Sequence, residues 1–576
     1  MTRIYDDPAT FADDQLSGFL DLYSDRLHGV HGGVVAHRGD TPQVAVVIGG
    51  GSGHYPAFCG TVGPGLASAA VVGNIFTSPS AAQAYSVGRA ADQGRGVIFS
   101  FGNYAGDTIN FGIAAQRLRD EGIDARVVIV TDDIASADEV DKRRGIAGDF
   151  TVFKVMGAAA AEGRDIDEVE RLGRAANAAT RTLGVAFSGC TMPGESDPLF
   201  TVPDGHLGLG LGIHGEPGIR DVAMLPAAEL AALLTDRVTD AAPAGIGRRA
   251  GVILNGLGTT KYEELFLLWG HVAKRLRDKG FEVVEPEVGE LVTSLDMGGC
   301  SLTLMWLDDE LEPLWRADAY TPAYRKSAAP LRALRPPNPH ELADAEAVRT
   351  APEATPAAAR LGLTVRAAFD AAHRTLTEHE HELGRIDAVA GDGDHGRGMV
   401  KGVTAALDRL RDNESGVGGG WLLQEAGQAW AERAGGTSGV LWGAALDAFG
   451  RTLTDSAQEY PATAVAKGVR AFTDAISELG GARPGDKTLL DALVPFAEEL
   501  ESATADGTAL VPAWQAAARV ATEAAESTAT LRPQVGRARP LAEKSIGTPD
   551  AGATSLALVV TAVGEALTVE TERKRS

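Results

Sequence analysis

Residues 332–360 carry the string RPPNPHELADAEAVRTAPEATPAAA, rich in Pro, Ala and Glu and without an apolar period. The hydrophobic pattern differs on its two sides, so one continuous core cannot serve the whole chain. At 576 residues the chain also exceeds a single ordinary domain. Residues 1–331 hold short apolar runs, VAVVIGG, GVIFSFG, ARVVIVTDD, GVAFSG and AGVILNG, each closing on Gly or Asp. Such runs predict buried strands of an α/β domain. Residues 361–576 hold long Ala/Leu/Glu-rich stretches such as WLLQEAGQAWAERA and LLDALVPFAEELESA, separated by Gly-rich loops. That pattern predicts an all-α domain. The expected fold class is therefore multidomain, α/β plus all-α, with 332–360 as linker. In the α/β part, loops after strand C-termini are the places to look for chemistry.

Net charge narrows the partners. With 53 Lys+Arg against 78 Asp+Glu the formal charge is -25, which argues against nucleic acid, whose phosphates require excess cationic side chains. Any phosphate-bearing ligand must find its positive charge locally, from a metal ion or from backbone amides. No apolar run approaches the ~20 residues of a membrane span, and the first twenty residues do not form a secretion signal. Cys59, Cys190 and Cys300 fit no zinc spacing. Reduced thiols in a cytoplasmic protein are the expectation.

Three loops of the first half carry candidate chemistry. The strand VAVVI leads into GGGSGHYP, where Gly51, Ser52 and Gly53 offer backbone N–H groups and His54 adds an imidazole. Asp107 lies in NYAGDTINFG, where a helix N-cap is the plain alternative. His214 stands between glycines in GLGLGIHGEPG, which leaves its ring accessible. Two histidines and a carboxylate, each beside glycines in loops that can converge, suggest acid–base work.

In the second half, RIDAVAGDGDHGRGM places Asp387, Asp392 and Asp394 within eight positions. Converging carboxylates repel, so a folded site of this kind wants a divalent cation. Oxygen ligands suit Mg²⁺ or Ca²⁺, and the loop lacks the EF-hand layout. A solvated acidic turn explains the spacing equally. AGGTSGVLWG places Thr437 and Ser438 at a helix start able to receive phosphate oxygens. It is not a Walker P-loop. PGDKTLLDAL and GRARPLAEKSIGTPDAGATS add Lys487, Arg537 and the turn at Asp550.

The strings GGGSGH, GNIFTSPSA, NYAGDTINFG and GIHGEPG, in this order, resemble the substrate domain of the dihydroxyacetone kinase family. The later strings resemble its nucleotide domain. The resemblance implies an N-terminal ketose-binding α/β domain of two subdomains and a C-terminal eight-helix barrel that binds Mg-ATP. It implies covalent capture of the ketone on His214 as a hemiaminal and an acid/base pair of His54 and Asp107. It also implies substrate contacts at Gly51, Ser52 and Gly53, and Mg²⁺ on Asp387, Asp392 and Asp394. Nucleotide contacts would fall on His395, Gly396, Arg397, Gly398, Thr437, Ser438, Gly480, Leu489, Arg537, Asp550, Ala551 and Gly552. A homodimer is implied as well. The family usually has Glu at Tyr55, Asp at Asn74 and, five residues before the aspartate, Lys where this chain has Gly102. Loss of that Lys removes a charge and is expected to leave space, enlarging the pocket for a four-carbon ketose such as erythrulose. Neutral drift, with water in the gap, is the alternative. Some relatives also cyclise an FAD-like substrate, and some substrate-domain paralogues are non-catalytic sensors. The intact aspartate triad and His214 speak against the sensor.

Overall fold

The computed structural model describes residues 2–327, 350–413, 416–434, 436–535 and 542–573. Two compact units lie on either side of residues 328–349.

The first unit opens with α1 (Phe11–Leu22) and the strands β1 (Leu27–Val30), β2 (Gly33–Ala36), β3 (Ala45–Ser52), β4 (Ala69–Ile75), β5 (Val97–Gly102) and β6 (Ala125–Val130). They form a sheet ordered β1-β2-β4-β3-β5-β6. The four strands from β4 to β6 in that order run parallel, and the β1/β2 hairpin extends the edge antiparallel. Helices α2 (Ala81–Ala91) and α3 (Ala105–Asp120) pack on one face, α4 (Asp149–Ala161) and α5 (Ile166–Ala178) on the other. In β3, Ala45 and Val47 join the core with Ala84 and Phe111, while Val46 and Ile48 join Phe150 and Phe153. An unbroken apolar run is thus what a strand with helices on both faces requires.

The second sheet of this unit comprises β7 (Thr180–Ser188), β8 (His206–Leu209), β9 (Arg220–Ala223), β10 (Arg249–Gly256), β11 (Glu282–Val283), β12 (Glu287–Gly289) and β13 (Gly298–Trp306). Its order is β11-β10-β13-β7-β8-β9, with β12 also on β10, and its long strands are antiparallel. Helices α6 (Ala227–Asp240) and α7 (Tyr262–Asp278) cover one face through Leu230, Leu234, Leu265 and Val272. From the other face Ala186, Ile253 and Met305 enter the core that also holds Val46 and Ile48. The two subdomains therefore share one central core. Helix α8 (Leu311–Arg316) seals it with Trp315.

The second unit is helical. Its elements are α9 (Pro356–Glu378), α10 (Glu380–Asp387), α11 (His395–Asp412), α12 (Gly419–Ala434), α13 (Gly436–Leu453), α14 (Ala462–Gly480), α15 (Leu490–Ala505), α16 (Leu510–Ser527), α17 (Ala542–Ser545) and α18 (Ala551–Arg573). Among the described residues eight are long, and each packs on the next: α9, α11, α12, α13, α14, α15, α16, α18 and back to α9. The ring is closed, in keeping with the expected eight-helix barrel. Trp430, Trp442, Phe472, Phe496 and Trp514 help line an apolar cavity of about 170 Å³ inside it.

Two sequence expectations need correcting. Of the linker, residues 332–349 lie outside the described residues, and 356–360 are already helical. Thr355 accepts the N–H of Ala358 and Pro356 takes the first helical position, which fixes the start of α9 there. Helix α18 is also long and apolar enough to cross a membrane. Gly, Thr and Glu interrupt its apolar run, and its Leu556, Ala557 and Val560 are buried in the ring core.

The barrel also uses a cap distant in sequence. Asp455 accepts the N–H groups of Gly420 (2.8 Å) and Trp421 (2.9 Å) at the start of α12. Asp455→Ala should destabilise the barrel by about 1–2 kcal/mol. Urea unfolding followed by tryptophan fluorescence checks this, and an unmoved midpoint would contradict it.

Candidate active site

In the first unit the three sequence candidates converge on one cavity of about 370 Å³. His54 and His214, 160 positions apart, meet with their Nε2 atoms 3.0 Å from each other. His54 Nδ1 donates to the carbonyl of Thr293 at 2.7 Å, and His214 Nδ1 donates to Glu216 Oε1 at 2.9 Å. A carbonyl and a carboxylate only accept, so both Nδ1 atoms carry hydrogen. The Nε2–Nε2 contact then requires one shared proton. Burial and the neighbouring His214 push His54 down to about 3, which makes it the acceptor in that bond. Burial opposes ionisation of Glu216, yet the hydrogen bond and charge of His214 outweigh it and hold the carboxyl down to about 2.

The short strap after β12 aligns both rings. The Thr293 N–H donates to the His54 carbonyl (3.2 Å) and the Leu295 N–H to the Gly53 carbonyl (2.8 Å). The Ser294 hydroxyl donates to the carbonyl of Ile213, next to His214. Phe76 stacks on His54 with centroids 5.1 Å apart and meets His214 edge-on at 5.0 Å. Its φ of 53° is in the left-handed region that side chains avoid. Strain of this kind persists where surroundings enforce it, often at functional sites. Tyr104 closes the other side of His214, edge-on at 5.2 Å.

Asp107 is the third residue of α3 and not its N-cap, which is Tyr104. Its Oδ1 is buried without a hydrogen-bond partner among the described residues. Burial raises this carboxyl to about 6, with Ser78 and His214 offsetting part of the effect. The glycines behave differently from expectation. Gly49–Ser52 continue β3 as strand, paired with β4, and the turn begins at Gly53, with φ 101°. Gly49, Gly50 and Gly51 line the cavity, while Ser52 and Gly53 do not. A Cβ on Gly51 would stand 2.6 Å from the amide of Thr77, so only glycine lets the strand lie this close. Gly102 leaves no simple hole either. A Cβ there would stand 2.9 Å from the Gly145 carbonyl and 3.2 Å from the Tyr104 ring.

In the second unit one carboxylate oxygen each from Asp387, Asp392 and Asp394 lies within 4.8 Å of the others. Asp387 ends α10, and its Oδ2 accepts the N–H of Asp394, which opens α11. A Cβ on Gly391 would meet Asp387 Oδ1 at 2.4 Å, so glycine is what admits this hairpin. Three converging oxygens and no sulfur or nitrogen ligand fit Mg²⁺. His395 Nε2 reaches Ser555 Oγ at 2.9 Å, which ties the triad to the start of α18. Asp550 accepts the Ala553 N–H at 2.7 Å, and burial raises it to about 6. A Cβ on Gly552 would stand 3.4 Å from the Leu489 Cβ, and one on Gly480 would meet the Leu441 side chain. Gly396 packs on the Glu380 carbonyl, Gly398 lies near the Ala434 carbonyl, and Thr437 and Ser438 are exposed in the first turn of α13. Arg397 is exposed and Ala551 buried. Arg537 lies outside the described residues.

Sequence reasoning missed Phe76, Tyr104, Thr293, Ser555 and the role of Glu216. Glu216 was within reach, two positions from His214 in GIHGEPG. Tyr104, Phe76 and Ser555 also stand inside the quoted strings NYAGDTINFG, GNIFTSPSA and GRARPLAEKSIGTPDAGATS, whereas Thr293 meets its site only through folding.

A cavity lined by a pair of imidazoles in one unit and three converging carboxylates in a separate helical unit are the parts a two-domain phosphotransferase would need. Residues 17–323 match the Dak1 domain and residues 389–565 the DAK2 domain. The chain is 58% identical to the D-erythrulose kinase of Mycolicibacterium smegmatis, over 99% of this chain and 100% of that protein. It is 51% identical to the L-erythrulose kinase of Pectobacterium atrosepticum, over 99% and 97%. The dihydroxyacetone kinase from C. freundii in complex with AMP-PNP and Mg²⁺ aligns with a TM-score of 0.60 and 28% identity, covering 98% of this chain and 99% of that one. The chain belongs to the dihydroxyacetone kinase family, as a fused kinase with both domains in one polypeptide.

Proposed function

We propose that this ketose kinase phosphorylates a terminal hydroxyl of erythrulose, with ATP as donor. We further propose the D enantiomer, because similarity is higher to the relative named for D-erythrulose than to that named for L-erythrulose. The observation that carries the reading is the pair of cavity-lining imidazoles whose Nδ1 atoms are committed to Thr293 and Glu216 and whose Nε2 atoms share one hydrogen bond.

His214 Nε2 first passes its proton to His54 Nε2 and, with its lone pair freed, attacks the ketone carbon while that proton moves on to the former carbonyl oxygen, giving a neutral hydroxyl. The resulting imidazolium is held by Glu216 through Nδ1–H. Capture of this kind selects ketones over simple alcohols and compensates for how little apolar surface a short polyol offers. Asp107 then takes the proton of the attacking hydroxyl. Asp387, Asp392 and Asp394 would hold Mg²⁺, which supplies charge neutralisation at the phosphates. His395, Gly396, Gly398, Thr437, Ser438 and the turn Asp550–Gly552 would orient the nucleotide. The enzyme is proposed to be a cytoplasmic homodimer, which the three buried free cysteines suit as to compartment. Sedimentation tests the dimer.

The test is nucleotide turnover over dihydroxyacetone, glyceraldehyde, D-erythrulose and L-erythrulose. D-Erythrulose should give the highest kcat/KM. Faster turnover of dihydroxyacetone than of either erythrulose would overturn the substrate assignment.

A pH profile distinguishes the two candidate bases. Asp107 must be ionised to accept a proton, so activity is present above its raised pKa and lost below it. The acid limb of kcat/KM should fall near pH 6. A limb near pH 3 would identify His54 as the base instead.

A further inference from the structure

We propose that Asp149 is a specificity-determining residue of the ketose pocket, its carboxyl pairing with the hydroxyl that a four-carbon ketose has and a three-carbon one lacks. The proposal rests on the ketose-kinase reading above and deepens it.

Asp149 is the first residue of α4, only 4% exposed, and it lines the same cavity as His54, Asp107 and His214. Its Oδ1 is buried with no hydrogen-bond partner among the described residues. The turn that delivers it is rigid. Asp132, fully buried, accepts the N–H groups of Ile146 and Gly148, both at 2.8 Å. Gly145 packs against Gly102 so closely that a Cβ would stand 2.4 Å from the Gly102 Cα. With glycine at both positions, Tyr104 and Asp149 share one wall of the pocket. Burial, then the charges of Asp132 and Asp107, hold the Asp149 carboxyl well above the usual range. A neutral carboxylic acid both donates and accepts, as a sugar hydroxyl does.

Among the described residues, three that line the cavity each hold a buried side-chain oxygen without a hydrogen-bond partner: Asp107 Oδ1, Tyr104 Oη and Asp149 Oδ1. Erythrulose carries one hydroxyl more than dihydroxyacetone, both as the free ketone and after the carbonyl oxygen has become a hydroxyl on capture. A pocket with buried polar groups rejects the ligand that leaves one of them unmatched.

The experiment compares kcat/KM for D-erythrulose and dihydroxyacetone in the full-length enzyme and in three variants. Asp149→Ala should lower the erythrulose-to-dihydroxyacetone ratio by about tenfold or more. Asp149→Leu, apolar and similar in shape, should lower it likewise and serves if the alanine variant does not fold. Asp149→Asn keeps a donor and an acceptor, so its ratio should stay within about threefold of wild type. A purely structural role would lower both substrates together and leave the ratio in place, which would overturn the proposal. Wild-type preference for dihydroxyacetone would also overturn it. Wild-type enzyme that consumes no nucleotide with any ketose would instead remove the underlying reading of the site.

Discussion

Replacing His214 with alanine is expected to lower kcat/KM for erythrulose on the order of a thousandfold, the middle of the range for loss of a positioned catalytic group. A four-carbon polyol has almost no apolar area, so hydrophobic burial cannot hold it once the bond to imidazole is gone. Much of the loss should therefore appear in KM. The structure adds a control. Asp107→Asn removes the proposed base and leaves the His54–Thr293 and His214–Glu216 bonds in place. That variant should still capture the ketone while losing turnover. A ¹³C label at the ketone carbon reports the difference directly, because addition converts it from trigonal to tetrahedral. The label should change in wild type and in the Asp107 variant, and stay trigonal in His214→Ala. Unaltered efficiency in His214→Ala would end the covalent part of the mechanism.

The second large effect concerns the aspartates. Changing Asp387, Asp392 and Asp394 together to asparagine should abolish nucleotide turnover, by roughly a thousandfold or more, since phosphoryl transfer relies on positioning and charge neutralisation. Ketone capture should persist, because it uses residues of the other unit. A stability signature accompanies the loss. Three carboxylate oxygens within 4.8 Å repel by about 1 kcal/mol per pair when water surrounds them. Without added metal, the neutralised barrel should therefore melt at or above the wild-type temperature. Mg²⁺ should stabilise wild type by linkage and leave the variant unmoved. A wild-type barrel indifferent to Mg²⁺, together with full activity in the triple variant, would show that the cluster is only a solvated turn.

Much of this architecture was legible because its signals are local. Period and length distinguished the strand-rich half from the helical half, and Asp387, Asp392 and Asp394, within eight positions, come together through one short hairpin. The site in the first unit was legible as parts and not as an arrangement. His54 and His214 meet across 160 residues through β3, the loop after β8 and the strap at Thr293–Leu295, none of which a periodicity reveals. The glycines misled in a specific way. Gly49–Gly51 look like a turn and are strand, because the demand on them comes from Phe58, Phe76 and Val71 pressing from neighbouring elements. Asp149 gave no sequence signal, since an aspartate at a helix start is ordinarily a surface feature. Its burial comes from the packing of α4 beneath β3 and β5.

The helical ring closes between α9 and α18, the first and last of its described helices. During synthesis the α/β half can condense while the ribosome is still making the remainder, but the barrel has no complete wall until its final helix emerges. Until then the tryptophan-lined interior faces water. The same late segment brings Asp550, Gly552 and Ser555, so a C-terminally clipped chain would keep a finished first unit and a half-built, sticky helical one.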